Sequence, residues 1–234
     1  MKNLRLFLAA AIVIIFVSGV YSQTPIKLNL TGGAGLPVAA FSDMYKTGFS
    51  IEGGVFYSIP MVPVDLTLTA GYNQFTYKNE YFTNLVTTKL AVGVTGFNPS
   101  WNATDIPLMV GAKYNIPAKG VSPYVWGEIG VHFLSFKERL TGRVIGNSSN
   151  PTEFSLNGAT ESGSETAFGY SIGAGLTIPL APKIGIDINV KFNGNTGIYA
   201  KTFEVFRNSN SKFTNPEMKN IGYMTTRAGI LITL

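Results

Sequence analysis

The chain contains no cysteine. That excludes a disulfide framework, a thiolate metal site, a cysteine nucleophile and a lipid-modified N-terminal cysteine. Histidine occurs once, at His132, so multi-histidine metal sites are excluded too. Charge is scarce: Asp, Glu, Lys and Arg make up 13% of the 234 residues, about half the usual share of soluble globular proteins. Beyond the first 22 residues no run reaches 18 consecutive apolar residues, so no transmembrane helix is expected there. What is abundant is glycine (26), proline (12) and aromatic side chains (12%). The aromatics exclude a disordered chain, and the glycine and proline argue against long helices.

The N-terminus is read as an address. Lys2 and Arg5 form a positive head, Leu6 to Val17 is free of charge, and Val20-Tyr21-Ser22 offers small or β-branched residues at a cleavage site. This layout predicts a secretory signal over residues 1–22, cut after Ser22. A membrane anchor needs about 20 apolar residues, and Ser18 and Gly19 end the run early. The mature domain is expected over 23–234. Losing Lys2 and Arg5 lowers the formal net charge from +5 to +3. That charge is too weak and too scattered for nucleic acid to be an expected partner.

Period-2 alternation recurs along the rest of the chain. Ile184, Ile186, Ile188, Val190 and Phe192 alternate with Gly185, Asp187, Asn189, Lys191 and Asn193, which is a strand with one apolar and one polar face. The same pattern appears near residues 26–31, 49–57, 64–73, 106–115, 124–133, 168–178 and 223–234. Eight strands are predicted. Three connections are short and each opens with Ile-Pro, at Ile59-Pro60, Ile116-Pro117 and Ile178-Pro179. Proline cannot donate to a ladder, so the strands are expected to stop there. The other connections, near 37–48, 78–104, 138–164 and 193–220, are long and polar. Lys89 to Thr95 alternates weakly, and either extends a hairpin or adds a strand pair to give ten strands.

Eight alternating strands suit a soluble secreted barrel with an apolar inside or a membrane barrel with a polar inside. The charges favour the second. Lys27, Glu52, Asp65, Lys113, Glu128, Asp187, Lys191 and Arg227 all fall on the polar face, and so do Gly54, Gly71, Gly111, Gly130, Gly173, Gly175 and Gly229. A narrow interior needs small residues, and four positive charges against four negative ones suit pairing in a confined space. The expected fold is all-β: an eight-stranded, antiparallel, up-and-down transmembrane β-barrel with short periplasmic turns and long extracellular loops. Tyr57, Tyr72, Tyr114, Tyr124, Phe133, Phe168 and Phe192 lie near strand ends, where interfacial girdles form, although Tyr124 shares parity with the lumen side.

The pattern resembles the small outer-membrane β-barrels of Gram-negative bacteria, of the OmpX or OmpA-barrel type. Gly33-Ala34-Gly35-Leu36-Pro37, Tyr45-Lys46-Thr47-Gly48-Phe49 and Pro123-Tyr124-Val125-Trp126 look like the outer-membrane β-barrel domain proteins of Bacteroidetes-like bacteria. The end of the chain resembles that family's assembly signal: a polar residue, Gly two places on, then two alternating hydrophobics. Here these are Arg227, Gly229, Ile232 and Leu234, with Leu where many members end in Phe. The resemblance implies the bacterial outer membrane as location, its lipid as surroundings, and the barrel-assembly machinery as a partner of the last strand. No domain is expected beyond that strand, so the peptidoglycan-binding part of larger relatives is expected to be missing.

No catalytic constellation is evident. His132 and Glu128 share a face but stand four residues apart, about 13 Å along a strand. Gly32-Gly33-Ala34-Gly35 is followed by no helix that could hold a phosphate. No catalytic residue, cofactor or metal is expected. The lumen charges are the constellation to watch, in two layers. Glu52, Glu128, Lys191 and Arg227 lie deeper, and Lys27, Asp65, Lys113 and Asp187 lie nearer the short-turn rim. They form either a polar plug or an ion path. The expectation is a non-enzymatic barrel with a plugged lumen, serving envelope integrity or surface adhesion through loops that meet an extracellular ligand or host surface. A small diffusion pore and a soluble ligand-binding barrel are the alternatives.

Overall fold

A computed structural model of the chain describes residues 25–78, 80, 93–145, 153–156, 160–196, 198–199, 202–204, 212–214, 218–219 and 221–234. The signal segment lies outside the described residues.

Eight long strands carry the fold: β1 (Ile26–Val38), β2 (Gly48–Ser58), β3 (Val64–Thr76), β4 (Gly93–Asn115), β5 (Ser122–Ile145), β7 (Thr160–Ala181), β8 (Ile184–Asn195) and β13 (Gly222–Thr233). The short β6 (Glu153–Leu156) pairs with the far end of β5. Between β8 and β13 lie β9 (Ile198–Tyr199), β10 (Thr202–Glu204), β11 (Lys212–Thr214) and β12 (Met218–Lys219). The one described helix, α1 (Ala40–Met44), joins β1 to β2.

Every neighbouring pair of long strands is antiparallel. The sheet runs β4-β3-β2-β1-β13-β8-β7-β5, and a further β4–β5 ladder closes it. This is the up-and-down barrel that the alternation predicts. Lys89 to Thr95 adds no strand pair: Gly93–Thr95 already belongs to β4 and pairs with Arg143–Ile145 of β5. Residues 89–92 lie outside the described set.

The two faces separate by chemistry. Leu30, Leu68, Val110, Ile129, Ile172 and Ile230 point outward and are more than half exposed. Their neighbours Asn29, Thr31, Thr67, Thr69, Met109, Glu128, Ser171 and Asp187 point inward and are buried. An apolar outer belt around a polar interior is stable only where the solvent outside is hydrocarbon. Tyr57, Tyr72, Tyr114, Phe133 and Phe168 stand on the outer face at the strand ends, where amphipathic rings meet headgroups. Tyr124 does not join them. It is on the lumen face and buried, because it has the parity of Trp126 and Glu128.

Several boundaries differ from those expected. The β4–β5 ladder continues past Asn102↔Lys137 to Gly93↔Ile145, and β5–β7 continues to Arg139↔Thr160. Much of 78–104 and 138–164 is therefore strand and not loop. Residues 193–220 also hold ladders, β9 with β12 and β10 with β11. Ladder hydrogen bonds form in water without an apolar face, so hydrophobic alternation gives no sign of them. The segment 37–48 contains α1. Pro179 does not stop β7: it sits opposite Gly185 at a register shift, and the strand turns only after Ala181. A bulge is a place where proline's missing donor is tolerated.

Candidate functional site

Polar side chains line the lumen in three tiers. Their lateral order follows from register: strands that pair side by side carry their inward residues at matched heights.

The middle tier is a compact ionic cluster. Lys191 of β8 places Nζ 2.6 Å from Glu52 Oε2 of β2 and 2.7 Å from Glu128 Oε2 of β5. Arg227 of β13 donates from Nη2 to Glu52 Oε1 at 2.9 Å and from Nε to Asn189 Oδ1 at 3.3 Å. Glu128 also accepts from Thr67, Thr69 and Ser171, each at 3.0 Å. All four residues are at most 5% exposed. Bringing charges out of water is expensive unless each is paired and hydrogen-bonded, and here each one is. The cluster takes its four charges from four strands, β2, β5, β8 and β13, and runs across the lumen.

The tier nearest the short turns pairs differently from the expectation of four matched charges. Lys27 meets Asp65 at 3.1 Å, and Asp65 also accepts from Ser58 (2.7 Å) and Asn115 (2.9 Å). Asp187 accepts from the Tyr124 hydroxyl at 2.8 Å and from Asn189 Nδ2 at 2.7 Å. Lys113 forms no ion pair among the described residues. Its ammonium lies over the rings of Tyr124 (3.9 Å) and Phe56 (4.9 Å), where the π faces carry part of the charge. A cavity between these two tiers is lined by Lys113, Tyr124, Trp126, Asp187, Glu52 and Glu128 among others. Its free volume of about 10 Å³ is room for about one water molecule.

The third tier, toward the long connections, centres on the only histidine. His132 Nδ1 lies 2.7 Å from Asp105 Oδ2. The Tyr223 hydroxyl donates to the same oxygen at 2.6 Å, Asn73 Nδ2 donates to the Tyr223 hydroxyl at 3.0 Å, and Ser50 Oγ donates to Asn73 Oδ1 at 2.7 Å. Gly169 is what lets the imidazole lie against β7, because any Cβ there would collide with the ring. Sequence reasoning places His132 in the lumen but misses Asp105 as its partner. A signal is present in the sequence: Asp105 has the parity of Met109 and Lys113, and β4 extends back past it.

The residues of the expected assembly signal sit where the last strand β13 pairs with the first, β1. Arg227 points into the cluster, Gly229 faces Thr31 across the β1–β13 ladder, and a Cβ on Gly229 would run into the Leu30 carbonyl. Ile232 is exposed on the outer belt, and the Leu234 amide donates to the Ile26 carbonyl at 3.0 Å.

Residues 7–215 match the family model described as the outer membrane protein beta-barrel domain. The chain belongs to that family. Members of the outer membrane protein beta-barrel family lie in the bacterial outer membrane, which accounts for the apolar belt. Among solved structures, a major outer membrane protein from Thermus thermophilus is similar over 88% of this chain and 98% of its own, at 14% identity and a TM-score of 0.51. Neisserial surface protein A is similar over 92% of this chain and 100% of its own, at 12% identity and a TM-score of 0.48. Ail of Yersinia pestis, in complex with the heparin analogue sucrose octasulfate, is similar over 88% and 99%, at 13% identity and a TM-score of 0.42. Likenesses at such identity concern the fold alone. A search of the curated proteins finds no match.

Proposed function

We propose that the chain is a non-enzymatic outer-membrane barrel with a closed lumen, and that its work is done by the segments at the long-connection end, which face the outside of the cell. The supporting observation is the Glu52–Lys191–Glu128–Arg227 cluster, which occupies the lumen at mid-height with every charge paired. A barrel of eight strands has an interior that side chains just fill, and a paired cluster at mid-height supports a closed lumen. Residues 1–22 are removed on export, the last strand is what the barrel-assembly machinery recognises, and the belt sits in outer-membrane lipid. The polar segments on the outside then serve surface adhesion or the integrity of the envelope.

The test replaces residues 81–92, 146–152 and 205–211, one stretch at a time, by a short Gly-Ser linker. Cells carrying each variant are scored for adhesion to host-cell surfaces and for sensitivity to detergent. Loss of either property on replacement of one segment, with heat-modifiable gel mobility retained, supports the reading. Parent behaviour in all three variants, with both properties lost only when the whole chain is deleted, contradicts it. N-terminal sequencing of the mature protein should begin at Gln23.

A further inference from the structure

The long-connection mouth of the lumen has a closure of its own, built of aromatic rings. The link from β1 to β2 carries α1 at this mouth, beside the end of β3, and Phe41, Met44 and Tyr45 from this link are buried. Phe41 meets Phe75 edge-on with ring centroids 5.0 Å apart, and Phe75 in turn packs on Tyr223 at 5.1 Å. Tyr45 meets Tyr77 edge-on at 5.4 Å. The floor of this stack is Tyr223, whose hydroxyl is held by Asp105 and Asn73.

Beneath the rings lies a polar compartment, bounded on its other side by the Lys191 cluster. Asp105 Oδ1, His132 Nε2 and both side-chain polar atoms of Asn193 are buried in it and have no hydrogen-bond partner among the described residues. Buried polar atoms of this kind are stabilised by access to water. The closed mouth also holds Ala39 at φ 51° and ψ −141°, a left-handed backbone that favours glycine. The link is fastened at one side: Lys46 N–H donates to the Thr76 carbonyl (2.8 Å), Lys78 N–H to the Met44 carbonyl (2.7 Å) and Lys78 Nζ to the Ser42 carbonyl (2.5 Å). Ring packing and the hydrogen bonds from Lys78 to Ser42 and Met44 therefore favour the shut state and must break on opening, while the strained residue at one end and the unpartnered atoms below favour opening.

We propose that α1 is a hinged lid. It swings on Ala39 to admit water and small polar solutes to the compartment, and the Tyr223–Asp105 hydrogen bond keeps it shut by fixing the floor on which Phe75 and Phe41 stack. The cluster below stays closed, so an open lid exposes a pocket and not a channel. Lid motion is independent of which end of the barrel faces outward, and of what the outer segments bind.

The chain's lack of cysteine makes this measurable. Ser50 is fully buried in the compartment, and Ser50→Cys supplies a thiol of similar size. Asn29→Cys supplies a control thiol in the cavity on the other side of the cluster. Each is placed in nanodiscs and treated with a small water-soluble methanethiosulfonate. Cys at position 50 should react slowly in the parent, and about five- to tenfold faster with Tyr223→Phe, the factor expected for one lost hydrogen bond. Phe41→Ala should accelerate it at least as much, and neither change should alter labelling at position 29. If Phe41→Ala does not fold, Tyr223→Phe decides alone. Equal rates at position 50 in all backgrounds, or immediate labelling in the parent, would overturn the lid. So would parallel acceleration at position 29, which would mean general loosening.

Discussion

Lys191 holds two carboxylates at once, whereas Arg227 holds one and shares it. The two cations are therefore unequal. Arg227→Ala leaves Glu52 with Lys191 as its remaining cation and should cost about 3–5 kcal/mol, the usual penalty for breaking a buried pair. Lys191→Met leaves Glu128 with only hydroxyl donors, Thr67, Thr69 and Ser171, and should cost more than Arg227→Ala. Adding Glu128→Gln to Lys191→Met should recover part of that loss, because it removes the stranded charge. Urea unfolding in lipid vesicles measures all three. Equal losses for the two single variants, with no recovery in the double, would show that the cluster does not couple as the distances require. The eight charges are legible in the sequence because each falls on the polar face at fixed parity. Their partners are not, because strand stagger decides which residues share a height, and stagger leaves no mark in any one strand. Lys113 shows the consequence: its sequence suggests an ion pair, and its surroundings are two aromatic rings.

At the scale of a strand, the test is the difference between adjacent faces. Ile188 of β8 lies on the outer belt and its neighbour Asn189 is buried against Asp187 and Arg227. Ile188→Arg should cost about 2–4 kcal/mol if the position lies near the bilayer midplane, and less near an interface. That cost should change with bilayer thickness. Asn189→Arg should also destabilise, through crowding and a third cation beside Arg227, but with little response to lipid thickness. Matched responses in thin and thick vesicles would mean that the faces are reversed. The faces are the part of the fold that the sequence displays best, since hydrocarbon enforces strict alternation over the membrane span. Beyond the span that enforcement ends, and so does the signal. β4 and β5 continue as a ladder through segments that read as loop text, and Asp105, just outside the recognisable run, carries only its parity as a sign of its place beside His132. The aromatic residues of 37–48 escape sequence reasoning for a related reason. A five-residue helix has no room for a periodic pattern, and only the closed mouth shows why Phe41, Met44 and Tyr45 are there.

For the whole molecule, orientation and closure are the two properties that matter. With the short turns in the periplasm, protease added to intact cells should cut only within 37–48, 78–104, 138–164 or 193–220, mapped by mass spectrometry. Cuts at Pro60, Pro117 or Pro179 would place the barrel the other way up. Closure is the central claim, since it separates a barrel that acts through its outer segments from one that passes solutes, and planar-bilayer recording tests it most directly. The folded protein, reconstituted at single-molecule density in neutral salt, should give no steady conductance above the bare bilayer. A steady open level that shifts its cation-to-anion preference in the Arg227→Ala variant, without loss of stability, would show that the Glu52–Lys191–Glu128–Arg227 cluster lines a pore instead of closing one.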